Sequence, residues 1–456
     1  MNLHMIERKA YRRLVEWKEE SAGRYALLVE GARRVGKTTL VCEFGKNEYR
    51  STVYIDFSLH DSAIREYFNV FSGDLDRLLM YVANRCGVEL YERNTLFIFD
   101  EVQAFPFARQ LIKHLVAHGK YDYIETGSLI SIRQNVKDIL VPSEEQRLAL
   151  EPLDFEEFLR ACGKGSNVAL LRDSMQSRKA LPHSLHVELL RLWREYLLVG
   201  GMPSVVSTYL HTKQLPPVER EKQSILDLYR TDISRFGNGD MHRVVQVFDQ
   251  IPAQLSKHEK KFEVGALGSG SRMRDYDRAF FWLEDARLVN QCHNVTDPSV
   301  DLRMHRDLRA SKFYMADSGL LFTHTFGRGA AASQAKVDVL DGRININEGM
   351  LTENAVAQAL KARGEDLVYH SRFDRRDSSR RMEIDFMVVR PFNDAAGKMR
   401  VTPVEVKSST RFSTKSLDKF KAIYGKRVGL QVVLSPRELS VDGDRLFLPL
   451  YMAHLV

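Results

Sequence analysis

Hydrophobic positions change period along this chain, and each change marks a part of it. Residues 5–20 set Ile6, Tyr11, Leu14 and Val15 among charges at helical spacing, which predicts a helix. YALLVE (25–30) is a short apolar run that ends in GARRVGKTTL, the pattern of a buried strand, a glycine-rich turn and a helix start. TVYIDF (52–57), TLFIFD (95–100) and YDYIETGS (121–128) repeat the short apolar run. LDRLLMYVANRCG and ARQLIKHLVAHGK supply helical periodicity between them. Strands alternating with helices predict an α/β fold, a parallel sheet sandwiched by helices.

After about residue 150 the pattern turns mostly helical through 235. Helices are then expected over 241–257 and 272–287, followed by strand-like ARLVNQCHN and KFYMAD. That order suits a small helical domain with a β-ribbon, of winged-helix type. THTFGRGAAASQAKVDVLDG (323–342) is rich in small residues and reads as a linker. An α+β pattern restarts with a helix at 347–364 and strands near 367–370, 382–389, 401–406 and 429–434. The expected partition is therefore 1–160, 161–240, 241–325, a linker at 326–345, and 346–456.

Composition agrees with this count. A length of 456 residues corresponds to roughly three domains at about 150 residues each. Apolar residues are 44% and charged residues 28%, which argues against disordered, collagen-like or disulfide-stapled classes. Cys42, Cys86, Cys162 and Cys292 are far apart and form no paired motif, so a reducing compartment is expected. The N-terminus has no apolar stretch of signal-peptide length and no run approaches 18 apolar residues. A cytoplasmic protein with no membrane partner is the expectation. The 67 basic residues exceed the 60 acidic ones, a net +7 that admits an anionic partner.

The chemistry concentrates after the first strand. Gly31-Ala32-Arg33-Arg34-Val35-Gly36-Lys37-Thr38 fits the phosphate-binding pattern G-x-x-x-x-G-K-[ST], and Thr39 follows it. Glycines let backbone N–H groups turn inward around a phosphate, and the helix N-terminus adds positive potential. Lys37 would reach the β- and γ-phosphate oxygens of ATP, and the Thr38 hydroxyl would ligate Mg2+. LFIFD-Glu101 supplies the other half: Asp100 would hold Mg2+, and Glu101 would orient or deprotonate the attacking water. At the end of the fourth strand Thr126 or Ser128 could sense the γ-phosphate, unless the segment is a plain turn capped by serine.

GARRVGKTT, YIDF, FDEVQ, YIETGS, LEPLDFEEFL and LVGGMP, in this order, resemble a family of bacterial and archaeal AAA-type ATPases, with a further C-terminal region. The likeness covers essentially the whole chain, and the PLDFEEFL and GGMP blocks are its specific part. It implies an AAA-type ATPase domain with an N-terminal helix over 1–160, a helical lid over 161–240 and a winged-helix-like domain over 241–325. It also implies that Gly201 and Pro203 lie near the adenine; a helix break at the same residues is the plainer reading. A trans-acting arginine would stabilise charge on the transferring phosphoryl group and would imply a homo-oligomer. Arg133, Arg147 and Arg230 are the candidates for it, though a surface or packing arginine is the plainer reading of each.

The last domain carries Glu353 on a helix, Glu383-Ile-Asp385 at a strand start and Glu405-Val-Lys407 in a strand. Asp385, Glu405 and Lys407 in this order resemble the core of restriction-endonuclease-like nucleases. Alternation puts Glu405 and Lys407 on one face of their strand. Asp385 could share Mg2+ with Glu405, Lys407 could activate water, and Glu353 could complete the site. Such folds are also reused for binding or packing.

Basic residues flank these features. Arg272, Arg274, Arg278 and Arg287 fall along the expected helix 272–287 and suit DNA contact, or a solvated basic face. Arg375, Arg376 and Arg380 precede Asp385 and suit a phosphate backbone. The resulting expectation is a Mg2+-dependent ATPase that couples ATP turnover to DNA through its later domains. A nucleotide-gated signalling or defence switch recognising protein, and an ATP-regulated nuclease, are the alternatives.

Overall fold

The first apolar run, Ala26–Glu30, becomes a strand buried along its whole length in the computed structural model. The structure describes residues 6–456 apart from 60, 128–142, 237–239, 258–259, 269, 328, 344–345, 373–380 and 393–396, with backbone only at 236, 308 and 346–348. Contacts divide the chain into two units. The first is residues 7–151 with 285–287, and the second is the remainder.

In the first unit, helices α1 (Ala10–Glu20), α2 (Lys37–Glu48), α3 (Ser62–Phe71), α4 (Leu75–Cys86) and α5 (Pro106–His118) surround five strands. These are β1 (Ala26–Glu30), β2 (Ser51–Asp56), β3 (Thr95–Asp100), β4 (Asp122–Gly127) and β5 (Glu145–Ala149). They form one sheet in the order β2-β3-β4-β1-β5, with every pair parallel. Phe97 and Phe99 of β3 pack with Phe57, Phe68 and Leu115 on one face. On the other face Gly45 of α2 comes so close to Thr52 and Leu96 that a Cβ there would sit 2.7 Å from the Thr52 hydroxyl. Both faces are covered, which is why the strands read as unbroken apolar runs. Burial of each such phenylalanine contributes about 2–3 kcal/mol. Strand β5 was not expected: EQRLA has one buried apolar residue, and an edge strand needs no apolar run.

The second unit begins where Asp154 caps the helix α6 (Phe155–Ala161). Its carboxylate accepts from the Glu157 N–H at 2.9 Å, and the Glu157 side chain accepts from the Asp154 N–H at 3.2 Å. Helices α7 (Ser166–Ser177), α8 (His183–Val199), α9 (Pro203–Thr212), α10 (Leu215–Phe236) and α11 (Met241–Leu255) follow. The expected helix 272–287 is instead a short 3-10 turn, Met273–Asp275, and a helix α12 (Asp277–Asp285). The side chain of Asp275 accepts from the Arg272 N–H, and Arg287 at φ 59° ends the helical path.

An antiparallel pair then forms between β6 (Val289–Val295) and β7 (Arg306–Met315), followed by α13 (Ser318–Phe326). The stretch expected as a linker is mostly a helix, α14 (Ala330–Asp341). Alanine is the best helix former, and Ala332, Ala335 and Val339 recur on one buried face. Small residues there mark close packing rather than a flexible tether. The remaining elements are α15 (Ile346–Ala362), β8 (Val368–Arg372), β9 (Met382–Ile384), β10 (Phe386–Pro391), β11 (Met399–Val406), α16 (Lys415–Tyr424), β12 (Gln431–Ser435), β13 (Ser440–Asp442) and β14 (Arg445–Pro449).

Strand β8 pairs in parallel with β6, His293 opposite Val368. The hairpin and the C-terminal segment therefore share one sheet, β7-β6-β8-β9, beside a second sheet, β10-β11-β12-β14-β13. By contacts, residues 152–284 and 288–456 fall in one compact unit.

Three chain segments cross at Gly200–Gly201. Gly200, at φ 81°, ends α8. Gly201 accepts from the Leu153 N–H at 2.8 Å and donates to the Asp317 carboxylate at 2.5 Å. Tyr196 and Gln358 both donate to the Leu153 carbonyl, at 2.7 and 3.2 Å. A Cβ on Gly201 would stand 2.1 Å from that carbonyl oxygen, and the backbone there cannot yield. Gly201→Ala is expected to destabilise the second unit by about 3 kcal/mol, read as a lower urea midpoint. Gly265→Ala, with no atom within 4 Å of its Cβ, should leave the midpoint in place.

Candidate nucleotide site and a second carboxylate cluster

Strand β1 ends at Glu30, and the chain turns through Gly31–Gly36 into α2 at Lys37. Backbone geometry explains the glycines. A Cβ on Gly31 would lie 2.4 Å from the Leu150 carbonyl oxygen, and Gly36 sits at φ 96°. Arg34 also takes a positive φ, 69°, and Val35 is fully buried, so the loop is pinned at its centre. Ala32 is buried, while Arg33, Arg34 and Thr39 are exposed. Lys37 is buried, and its ammonium donates to the carbonyls of Gly31 and Ala32 at 2.9 and 3.1 Å. The first N–H groups of α2 open toward this loop, the arrangement that favours an anion.

The Asp100 carboxylate is the centre of the site. It is 3% exposed at the end of β3 and accepts from the hydroxyls of Thr38 at 2.9 Å, Tyr54 at 2.7 Å and Thr126. Strand order produces this convergence: β3 lies between β2, which carries Tyr54, and β4, which carries Thr126. The Tyr54 hydroxyl is pushed up by burial and by its bond to Asp100, so it stays a donor. Glu101 follows at φ 51°, a costly conformation for a side chain, with the Gln103 amide donating to its carboxylate. Thr126, one of the two expected γ-phosphate sensors, thus stands on Asp100. Ser128 and Arg133 lie outside the described residues.

Three participants were not legible in the sequence. Tyr54 opens YIDF, where it reads only as part of an apolar run. Arg8 precedes the first helix and donates to the carbonyls of Val35 and Glu151 at 3.0 and 2.6 Å, tying the phosphate loop to the end of the sheet. Arg287 pairs with Glu30 at 2.5 Å and with Glu151 at 3.8 Å. It lies past the end of α12 and belongs to this unit.

The other expected residues have the following surroundings. Arg147 is on the edge strand β5, paired with Glu145 at 3.2 Å. Arg230 is on α10, paired with Asp249 at 3.0 Å. Gly201 and Pro203 belong to the second unit, where Gly201 serves the crossing described above and Pro203 opens α9. Arg274 and Arg278 are exposed, with Asp275 and Asp240 near them at 3.9 and 3.7 Å. Arg272 is exposed in the turn before α12. Arg375, Arg376 and Arg380 lie outside the described residues.

The C-terminal carboxylates form a different kind of cluster. Glu353 on α15 is buried and meets the ammoniums of Lys260 and Lys312, the latter at 3.5 Å, and the hydroxyl of Tyr314. Burial alone would raise its carboxyl, but the two ammoniums bring it well below the ordinary range. Lys312 also pairs with Glu383 at 2.6 Å. Asp385 accepts from the Val406 N–H at 2.8 Å, and burial and the Glu353 charge push its carboxyl up. Glu405 pairs with Lys407 at 2.9 Å, as strand alternation expected. The expected sharing of a cation by Asp385, Glu405 and Glu353 is not built. Among the described residues no three His, Cys, Asp or Glu side chains group so as to hold a metal ion. The spacing of Glu405 and Lys407 was legible; the lysines from β7 and from the segment after α11 were not.

Residues 23–159 match the family described as an AAA domain. Residues 190–329 and 348–452 each match a domain of unknown function, DUF8612 and DUF4143. No curated protein matches the chain. Similar solved structures include a signal transduction ATPase with numerous domains carrying a tetratricopeptide repeat sensor, from Pyrococcus horikoshii. It is 12% identical with a TM-score of 0.27, over 78% of this chain and 48% of that one. The chain thus spans about half the length of that protein. The Aeropyrum pernix Orc1 protein in complex with DNA is 12% identical, TM-score 0.26, over 74% and 94% of the two chains. Cdc6p from Pyrobaculum aerophilum is 11% identical, TM-score 0.26, over 74% and 97%. The AAA match and the parallel sheet with its phosphate loop make the first unit an ATP-binding AAA-type module. Among the described residues no helix is long and apolar enough to cross a membrane.

Tyr54 meets the site through its hydrogen bond to Asp100. Tyr54→Phe should therefore lower ATP turnover about tenfold while leaving ATP binding intact. Steady-state turnover measured beside an ATP-binding titration checks it.

Proposed function

We propose that this chain is a Mg2+-dependent ATPase whose turnover is coupled to DNA engaged by the second unit. The observation that carries the ATPase part is the Asp100 carboxylate. It is buried at the C-terminal end of a parallel sheet, one hydrogen bond from Thr38 and next to a phosphate loop. Thr38 and Asp100 are the residues that would hold Mg2+, since a hydroxyl and a carboxylate oxygen are the hard donors it takes. When bound, the cation neutralises charge on the β- and γ-phosphates.

Each remaining step falls to a residue of this chain. Loop N–H groups and the α2 N-terminus cradle the phosphates. Lys37 exchanges its two carbonyl partners for phosphate oxygens, which develop more negative charge as the bond to the γ-phosphoryl lengthens. Glu101 orients the attacking water and accepts its proton, its left-handed backbone turning the carboxylate away from the strand. Thr126 links the γ-phosphate end of the site to Asp100.

The DNA part draws on the β6–β7 hairpin next to α11 and α12 and on the exposed arginines Arg274 and Arg278. It draws also on the order α15, β8, β9–β10, β11, α16, β12, which suits a restriction-endonuclease-like core.

Glu101→Gln should retain ATP binding and lower turnover on the order of a hundredfold. Trapped nucleotide after gel filtration, quantified by absorbance, checks it. Adding duplex or four-way-junction DNA should raise ATP turnover several-fold, and the gain should vanish as salt is raised toward about 0.3 M. Turnover indifferent to every DNA, with no salt-sensitive binding, would remove DNA from the proposal and favour a nucleotide-gated switch that recognises protein.

A further inference from the structure

The C-terminal carboxylates hold their own cations, and those cations are side chains. Glu353 is 4% exposed and takes up Lys260 and Lys312 together, with the Tyr314 hydroxyl as a third donor. Lys312 is fully buried in the middle of β7, clasped between Glu353 and Glu383, with its ammonium 4.7 Å from the centre of the Tyr369 ring. Its position is set by the sheet. Lys260 arrives from the segment after α11 and is anchored next to Lys312: the Phe262 N–H donates to the Ser311 carbonyl at 2.9 Å, and the Phe262 ring packs edge-on against Phe280 and Phe313. Asp385, the nearest further acid in strand order, has its carboxylate turned to the Val406 N–H. Glu405 is matched separately by Lys407.

We infer that Lys260 and Lys312 together occupy the place of the divalent cation that a helix-Glu, strand-Asp set would otherwise hold, so that the second unit is assembled around an internal 2+ charge. The physical reason is compensation. A carboxylate taken out of water must be met by positive charge and donors, and two ammoniums supply the charge of one Mg2+ or Mn2+. A metal ion entering beside them would face two like charges at short range in a poorly screened interior. Occupation by the lysine pair and by metal are therefore exclusive. Lys312 cannot leave without breaking β7, whereas Lys260 sits on a connecting segment and is the removable half. This inference concerns the second unit alone and does not rest on the ATPase reading.

The test measures uptake of Mn2+ by the full-length, nucleotide-free protein, from loss of the free-ion electron paramagnetic resonance signal. Wild type and Asp385→Asn should take up the same amount, because no site is open to be lost. Lys260→Ala, with an unchanged far-UV spectrum, should bind Mn2+ at least about tenfold more tightly than wild type, and adding Asp385→Asn should abolish the gain. Wild-type protein that binds one Mn2+ more than Asp385→Asn overturns the inference without requiring any lysine variant to fold. So does a folded Lys260→Ala protein that gains nothing.

Discussion

A carboxylate withdrawn from water must be answered by donors, and each unit is organised around one such group. In the first it is Asp100, met by three neutral hydroxyls from Thr38, Tyr54 and Thr126. Hydroxyls satisfy hydrogen bonds without supplying positive charge, which is what the proposed Mg2+ role of this group requires. In the second it is Glu353, met by two ammoniums and a phenol. Ammoniums cancel the charge, and with it the attraction. Two buried acids of similar exposure thus have opposite chemistry because of what faces them.

Backbone constraints hold both arrangements in register. The phosphate loop can pass under Leu150 only because residue 31 lacks a Cβ, and it turns into α2 through the left-handed Gly36. Arg8 and Arg287 then bind the loop, the end of β1 and the segment after β5 into one rim. In the second unit Gly201 plays the corresponding part, where Leu153, Asp317 and Gln358 meet a bare backbone. The PLDFEEFL and GGMP blocks are thereby explained as one contact: the first presents Leu153 and caps α6, and the second presents the glycines that Leu153 crosses.

Joining β6 to β8 has consequences beyond topology. A sheet shared by the hairpin and the C-terminal segment makes the place of Lys312 depend on strands far apart in sequence. Neither the hairpin nor the C-terminal strands could then be expected to keep the Glu353 cluster in isolation.

Much of this was legible beforehand, and the reason is range. Apolar runs, the Gly31–Thr38 spacing, Asp100-Glu101 after a buried strand, and the shared strand face of Glu405 and Lys407 are short-range patterns, each written within about ten residues. They predicted the parallel sheet, its phosphate loop and the alternation of β11. The helix at Ala330–Asp341 was missed for a local reason too, since alanine-rich sequence describes a close-packed helix as readily as a tether. What tertiary structure decided is long-range. Tyr54 meets Asp100 across 46 residues, and Lys260 and Lys312 meet Glu353 across 93 and 41. No local pattern encodes strand order or the path of the connecting segments, and together these determine whether a buried carboxylate faces a hydroxyl or an ammonium.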